Sequence, residues 1–179
     1  QSKDYWLCPD NLLASQPLKP TEAGQIVAAA LAKHRPARTG KFTALFGKAG
    51  GKAAFFESDL VTVSRLGPKR VRTEKQSGRK IERWNEQADY LFLAAINEKD
   101  PRMGKAHFHR ALRMWDNAGF LDKSVFHRQF YSAETLGLAL VAGSRVQADL
   151  PMKAKILQQL ARQQDDSGGF APDFSKDGK

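Results

Sequence analysis

Residues 105–141 read KAHFHRALRMWDNAGFLDKSVFHRQFYSAETLGLALV and carry the clearest structural pattern in the sequence. The first half predicts one amphipathic helix, because apolar residues recur at helical spacing on a single stripe: Phe108, Ala111, Leu112, Trp115 and Ala118. Gly119 follows as the expected left-handed residue at the helix end. A short extended pair around a polar turn at 122–124 is predicted next. Ser132 is placed to cap a further helix.

This order of helix, hairpin and helix resembles the winged helix-turn-helix domains that bind DNA, over about residues 90–142. In that family the recognition helix ends near an AGxL phrase, here at 117–121, and a wing follows, here at 122–131. The resemblance implies that the helix face enters the major groove and that the wing contacts phosphate. It assigns DNA contacts to six residues: His109, Arg110, Arg113 and Asn117 on the helix, Lys123 and Arg128 on the wing. The alternative is an ordinary helical hairpin with a solvated basic face.

Positive charge is concentrated in one segment of the chain. The net charge is +10, and residues 33–83 account for all of it with 14 basic and 4 acidic residues. Charge localised in this way indicates a polyanion-binding surface, and the alternative is a solvated or disordered basic segment. We expect ten cations of this segment to neutralise nucleic-acid phosphates: Arg38, Lys41, Lys48, Lys52, Lys69, Arg70, Arg72, Lys75, Arg79 and Lys80.

A change of period predicts strands within this basic segment. Residues 41–46, 52–56, 60–66 and 70–73 read as an antiparallel meander of three or four strands, with a turn at 67–69. In the third of these strands, Val61 and Val63 are expected to share one face. The glycine-rich residues 47–52 resemble a phosphate loop, but the spacing is one residue short and a strand follows, so a hairpin turn is predicted. Residues 76–83 are predicted to be a basic linker.

Helices are predicted on both sides of the strands. The first begins at 20–22 and stops near His34, with Ile26, Val27, Ala30 and Leu31 on its inner face. Later helices cover 84–98 and 152–164. The fold class is therefore α+β, mainly α, with a small basic antiparallel β-meander and a C-terminal helical domain. Three parts are expected: an N-terminal part at 1–83, the helical domain at 84–164 and a flexible tail at 165–179.

Two segments outside the basic region predict protein contacts. Residues 5–13 contain several large apolar side chains, and the helix at 152–164 is rich in glutamine. We expect these segments to dock on the core of this chain or on other protein subunits. An alternative function is therefore that of a structural subunit of a larger nucleoprotein or ribonucleoprotein complex.

The sequence does not predict catalysis by this chain. The single cysteine, Cys8, excludes an intrachain disulfide and a multi-cysteine zinc module. The four histidines are not spaced as a metal site, and no cofactor is expected. Residues 157–170 are similar to a repeat phrase of the α/α-toroid terpene cyclases and protein prenyltransferases, so a fragment of such an enzyme is a further alternative. No apolar run is long enough to span a membrane. We therefore expect a cytoplasmic protein that binds DNA or RNA.

Overall fold

The computed structural model describes residues 5–7, 20–34, 55–122, 130–164, 171 and 173–176. The described chain divides into two compact units, the first ending at Ile81 and the second beginning at Glu82. The predicted boundary after residue 83 is therefore two residues further along the chain. The predicted fold class, α+β and mainly α, is confirmed, since the described residues form five α-helices and five strands.

The first unit contains a three-stranded sheet and one helix. Its elements are β1 (Tyr5–Leu7), α1 (Glu22–His34), β2 (Phe56–Leu66) and β3 (Lys69–Lys80). Strand β3 is central, with β2 antiparallel to it and β1 parallel to it. The predicted hairpin of β2 and β3 is confirmed. The third described strand comes from the chain before α1, which the sequence does not predict.

Some of the predictions for the first unit fall wholly or partly on undescribed residues. Of the predicted docking segment 5–13, residues 5–7 join the sheet through the backbone as β1, and 8–13 lie outside the described residues. The predicted strand at 41–46 lies outside them entirely, as does most of the one at 52–56.

Helix α1 begins where the sequence predicts. The hydroxyl oxygen of Thr21 accepts a hydrogen bond from the backbone N–H of Gly24 at 3.1 Å, which satisfies one free donor of the first turn. Leu31 is buried with Val71 of β3, and Val27 packs against this pair. Ile26 is 64% exposed, so its predicted place on the inner face is wrong. The buried stripe runs through Val27 and Leu31, one turn apart, and Ile26 lies beside it.

A β-bulge decides which side chains of β2 face the sheet core. Val63 is an extra residue between two positions of β2 that pair with Arg72 and Val71 of β3. Such an insertion reverses the alternation of side chains. Val61 is accordingly half-buried, whereas Val63 is 45% exposed. The prediction that these two valines share a face is therefore wrong.

Strand β3 continues through most of the predicted linker. Residues 76–80 belong to the strand, so the linker prediction for 76–83 is wrong over that range. A second irregularity falls here, between the pair Phe56–Lys80 and the pair Ser58–Gln76. Gly78 accommodates it with a φ of 79°, in the left-handed region that glycine enters without steric cost. Glu57 and Arg79 form an ion pair of 2.9 Å next to it.

The second unit consists of two helical hairpins and a short two-stranded sheet. A 3-10 turn at Trp84–Glu86 precedes α2 (Ala88–Asn97), α3 (Pro101–Leu112), β4 (Tyr131–Ser132), α4 (Ala133–Val146), α5 (Lys153–Gln163) and β5 (Asp173–Phe174). Helix α2 packs against both α3 and α4, and α5 packs against α4. Seven of the ten residues of α2 are buried, so it is the central helix of this unit.

Aromatic side chains form the core of the helical unit. The ring of Phe92 on α2 lies 5.9 Å from that of Phe108 on α3 and 5.0 Å from that of Phe120, measured between centroids. All three side chains are almost completely buried. Burial of this size is the main source of stability for such a unit. At Gly104, a Cβ atom would stand 3.2 Å from the carbonyl oxygen of Ala95, so glycine allows α3 to approach α2 closely.

Helix α3 is shorter than the sequence predicts. It ends at Leu112 and does not continue to residue 118, and Trp115 instead forms an isolated bridge with Phe120. The left-handed residue after the helix is Asn117, with a φ of 80°, and not Gly119. Glycine is required at 119 for another reason. A Cβ atom there would stand 2.6 Å from Cγ and 2.9 Å from Cβ of Tyr131.

Two aspartates hold the chain that follows α3. Asp116 Oδ1 accepts hydrogen bonds from the backbone N–H groups of Ala118 and Gly119 at 3.0 and 3.2 Å. Asp122 is buried, and its Oδ2 accepts a hydrogen bond from the N–H of Ala88 at 2.9 Å. This carboxylate therefore caps the first turn of α2 from 34 residues away. The turn at 113–122 thus ties the end of α3 to the start of α2.

The C-terminal tail contributes to the core. Strand β5 pairs with β4, and the fully buried ring of Phe174 stacks on that of Tyr131 at 5.5 Å. The predicted flexibility of residues 165–179 is therefore wrong for this strand. Most of the predicted wing, residues 123–129, lies outside the described residues. The described end of the wing, Tyr131, pairs with Phe174. The winged-helix resemblance stays a prediction.

Candidate nucleic-acid interface

The predicted nucleic-acid ligands fall into three groups. Six of them lie outside the described residues: Arg38, Lys41, Lys48, Lys52, Lys123 and Arg128. Six lie on strand β3 of the first unit: Lys69, Arg70, Arg72, Lys75, Arg79 and Lys80. Four lie on or just after α3 of the second unit: His109, Arg110, Arg113 and Asn117. The described candidates therefore form two groups, one in each unit.

The tip of the β2–β3 hairpin is a tight two-residue turn. Leu66 pairs with Lys69, so only Gly67 and Pro68 connect the strands. Gly67 has a φ of 57°, and proline fixes φ near −65° at the next position. A positive φ at the first central residue followed by a negative one matches the type II′ turn, whose twist suits an antiparallel hairpin. The turn sets the register, and the register sets which cations lie opposite one another.

Three arginines share one face of the hairpin near this tip. Arg65 of β2 lies directly opposite Arg70 of β3, and directly opposed residues of antiparallel strands point to the same side. Arg72 lies two residues further along β3 and therefore on that side as well. Val71, between them, faces the opposite way and is buried with α1. The outer face of the tip is therefore an arginine surface, and Arg65 and Arg70 are exposed on it.

Arg65 is a candidate that the sequence prediction does not include. Its partner Arg70 is included because it follows the turn in the most basic stretch. A two-residue turn at Gly67-Pro68 implies that the residue two before the glycine faces the residue two after the proline, which are Arg65 and Arg70. Turn length alone is therefore a signal that could have identified Arg65.

The two ends of the hairpin differ in charge. The tip end, residues 60–74, contains four basic residues and one acidic residue, Glu74, which lies opposite Leu60. The open end, residues 56–59 and 75–80, contains three basic and two acidic residues. There Glu57 pairs with Arg79 at 2.9 Å, and Lys75 lies opposite Asp59. Three of the four net positive charges of the hairpin are therefore located at its tip.

Arg72 is held in place on this face. Its Nη2 donates a hydrogen bond to the carbonyl oxygen of Leu60 at 3.0 Å, and its side chain is half-buried. The guanidinium therefore lies across β2. Leu60 and Val63 are 43% and 45% exposed, which places apolar side chains beside the arginines.

The basic residues of the helical unit are more dispersed. His109 and Arg110 are exposed on the last turn of α3, and Arg113 is its exposed C-terminal cap residue. Asn117 does not lie on the helix, because α3 ends at Leu112. Its side-chain oxygen accepts a hydrogen bond from Lys155 Nζ of α5 at 3.0 Å. The predicted placement of Asn117 on the helix face is therefore wrong.

His107 belongs to the packing of the helical unit. It is half-buried, and its ring meets that of Trp84 edge to face at 5.5 Å. Burial lowers its pKa, the charge of Glu98 acts to raise the pKa, and Arg110 lowers it further. The net pKa is lowered, which favours the neutral imidazole. Among the described residues, no group of three or more histidine, cysteine or acidic side chains could hold a metal ion.

The Asp116 carboxylate of the second unit has a structural role. Tyr131 donates a hydrogen bond to Asp116 Oδ2 at 2.5 Å. Partial burial acts to raise the pKa of Asp116, but the hydrogen bonds from Tyr131, Ala118 and Gly119 and the charge of Lys176 lower it overall. Burial and this same carboxylate raise the pKa of Tyr131 to about 12. The pair joins the turn after α3 to β4.

A cavity in the helical unit completes the candidate sites. It lies where α2, α3 and α4 meet, has a volume of about 350 Å³, and its charged lining consists of Glu98, Lys105 and Arg145. None of the predicted nucleic-acid ligands lines it. No helix in the described part of the chain is long and apolar enough to cross a membrane.

Comparison of the chain with models of protein families, with curated proteins and with solved structures finds no match.

Proposed function

We propose that this chain binds nucleic acid without catalysing a reaction, and that the tip of the β2–β3 hairpin is its main contact surface. The observation that carries the proposal is the charge distribution of the hairpin. Four cations and one acid, Glu74, occupy the tip, and three of the cations are arginines on one face. Directly opposed like charges destabilise a sheet, so the pair Arg65 and Arg70 is not explained by folding.

The mechanism is neutralisation of backbone phosphates. Cations that replace condensed counterions on a nucleic acid bind it without regard to sequence. The width of the sheet supports contact with the backbone over entry into a groove. Strand β1 pairs with β3 at residues 70–72, so the sheet has three strands at the tip. Three strands spaced by about 4.8 Å span roughly 10 Å between their outer axes. A major groove of about 12 Å admits a two-stranded ribbon. The three-stranded tip, whose side chains extend beyond its outer strand axes, is too wide for that groove.

The helical unit offers a second surface within the same proposal. His109, Arg110 and Arg113 lie together near the end of α3, where the winged-helix resemblance places base contacts. They carry fewer charges than the hairpin tip and no opposed arginine pair. We therefore rank this surface below the tip. A cytoplasmic location goes with the proposal.

Two other functions have an observation in their favour. A role as a subunit of a nucleoprotein complex is supported by α5, which buries only Ile156 and Gln163 and leaves Leu157 49% exposed. A partner protein would cover this helix. An α/α-toroid-like enzyme fragment is supported by the layering of the second unit, in which α2 and α4 are the more buried helices and α3 and α5 the more exposed ones. Consecutive helical hairpins stack in this manner.

The test compares the two ends of one hairpin. The tip variant replaces Arg65, Lys69 and Arg70 by glutamine, and the control variant replaces Lys75, Arg79 and Lys80 by glutamine. Both remove three positive charges from exposed positions of the same hairpin. We expect the tip variant to bind a duplex more weakly and to show a salt slope that is lower by about 0.9 for each phosphate that is no longer neutralised. We expect the control to bind nearly as the parent does.

Fluorescence anisotropy with a labelled duplex over a series of salt concentrations measures both quantities. Equal losses of affinity in the two variants would indicate diffuse attraction by the whole basic segment. Unchanged affinity in both variants would remove the hairpin from the interface.

A further inference from the structure

The opposed arginines at the hairpin tip suggest a more specific contact than charge neutralisation. Arg65 and Arg70 are a direct cross-strand pair, so their Cβ atoms lie about 4.5–5.5 Å apart. Among the described residues, neither forms an ion pair. Both side chains are exposed on the face that points away from α1. The two arginine side chains thus extend from neighbouring Cβ atoms on one face, and no acidic residue lies between them.

Residue type matters as much as charge at such a position. The guanidinium is a planar fork whose parallel N–H groups match two oxygens of a phosphate, whereas the lysine ammonium is a point charge. Lys69 lies next to Arg70, but β-strand alternation places it on the other face. The outer face of the tip carries arginines at 65, 70 and 72, whereas Lys69 lies on the opposite face.

We propose that Arg65 and Arg70 form a clamp that binds one phosphate group of the nucleic-acid backbone through both guanidinium forks. This inference rests on the proposed function and adds that arginine itself is needed at both positions. The phosphate replaces the repulsion between the two cations by two charge-assisted contacts. Arg72 acts as a positioning residue beside the clamp, because its bond to the Leu60 carbonyl fixes its guanidinium on the same face.

The experiment separates arginine chemistry from charge. Four proteins are compared for binding to one short duplex DNA: the parent, R65K/R70K, R65Q/R70Q, and the control R83K/R102K, which makes the same conservative change at two exposed arginines outside the predicted interface. We expect R65K/R70K to keep the salt slope of the parent and to bind about tenfold more weakly, because lysine cannot make the bidentate contact. We expect R83K/R102K to match the parent.

The other possible results contradict either the clamp alone or the proposed nucleic-acid interface as well. If R65K/R70K binds as tightly as the parent while R65Q/R70Q is weakened, the clamp is wrong and charge-based nucleic-acid binding stands. If R65Q/R70Q also binds like the parent, the proposed interface at the tip fails as well. Binding of the parent to phosphatidylserine-containing vesicles but not to the duplex would assign the arginine face to a lipid surface and overturn the inference. Circular dichroism shows whether any loss of affinity comes from misfolding. The single variant R70K tests the same contact with a smaller change if the double variant misfolds.

Discussion

Single side chains with shifted pKa values connect the elements of the helical unit. The bond between Tyr131 and Asp116 is the clearest of them, because it joins β4 to the turn after α3 with a distance of 2.5 Å. The Tyr131 side chain is 5% exposed, so water does not readily replace this partner. A hydrogen bond to a charged group contributes about 1.5–3 kcal/mol to stability. We therefore treat this pair as a stability element.

The Tyr131→Phe variant tests this assignment through its pH dependence. We expect it to lower the free energy of unfolding by about 1–3 kcal/mol at neutral pH, since the bond to Asp116 is removed. The folded pKa of Tyr131 is raised to about 12, above its ordinary value of 10.0. Its contribution is therefore complete below pH 10 and is lost as the pH rises towards 12. The difference between parent and variant should shrink over that window.

Low pH weakens the same hydrogen bond by protonating Asp116. The pKa of Asp116 is lowered, so its contribution is present above its ordinary value and is lost as the pH falls below that value. Urea unfolding at neutral, acidic and alkaline pH measures both limbs. Tyr90→Phe is the matched control, since it removes a tyrosine hydroxyl from the same unit and leaves the Asp116 bond intact. A constant difference between parent and Tyr131→Phe from pH 7 to 12 would contradict the assignment.

At the scale of elements, aspartate caps mark the beginnings of the two helices of the first helical hairpin. Helix α3 begins with a local cap, since Asp100 accepts a hydrogen bond from the N–H of Arg102 at 2.8 Å. Helix α2 begins with a distant one, since Asp122 binds the N–H of Ala88 from the far end of the α3 turn. The first cap is exposed and the second is buried. Removal of a buried charge-assisted bond leaves a donor without water to replace it.

Replacement of each cap by alanine should therefore have unequal effects. We expect Asp122→Ala to lower the free energy of unfolding by about 2–3 kcal/mol, because it orphans a buried N–H and releases the turn at 113–122. We expect Asp100→Ala to cost about 1 kcal/mol, as for an ordinary exposed cap. Chemical denaturation of the two variants measures both values. If the two variants are destabilised by the same amount, the distant cap has no special role in joining α2 and α3.

The same contrast explains how far the sequence predicts the elements. The hairpin at 56–80 and the start of α1 are predictable, because a Gly-Pro turn, alternating side chains and the Thr21 cap act over a few residues. The bulge at Val63, the parallel pairing of β1 and the strand Asp173–Phe174 depend on contacts between distant residues. Helix α3 stops at Leu112 because the following turn is held by Tyr131 and Ala88, which no local periodicity reveals.

The candidate site is predictable to a similar extent. Localised charge identifies the basic strand and five exposed cations on it: Lys69, Arg70, Lys75, Arg79 and Lys80. It cannot distinguish the tip from the open end, because that difference depends on which acids lie across the strand. Pairing places Asp59 opposite Lys75 and Arg65 opposite Arg70, so the cations next to the turn have no acid opposite them.

On the scale of the whole molecule, the two units differ in net charge, and the second unit has an aromatic core of its own. Residues 82–179 contain 14 basic and 13 acidic residues, so nearly the whole net charge of +10 resides in residues 1–81. The second unit has its own buried aromatic core, including Phe92, Phe108 and Phe174. A chain segment with its own core is expected to fold by itself. This division allows the two candidate surfaces to be separated experimentally.

A fragment of residues 82–179 tests which surface binds nucleic acid. We expect it to unfold cooperatively and to bind a duplex at least about a hundredfold more weakly than the full chain, with a much smaller salt slope, because it lacks the hairpin tip. The winged-helix resemblance predicts the opposite, since His109, Arg110 and Arg113 all remain in the fragment. The fragment carrying Arg110→Gln and Arg113→Gln is the matched control. If the fragment binds like the full chain and these substitutions abolish its binding, the interface belongs to α3, and the hairpin proposal must be abandoned.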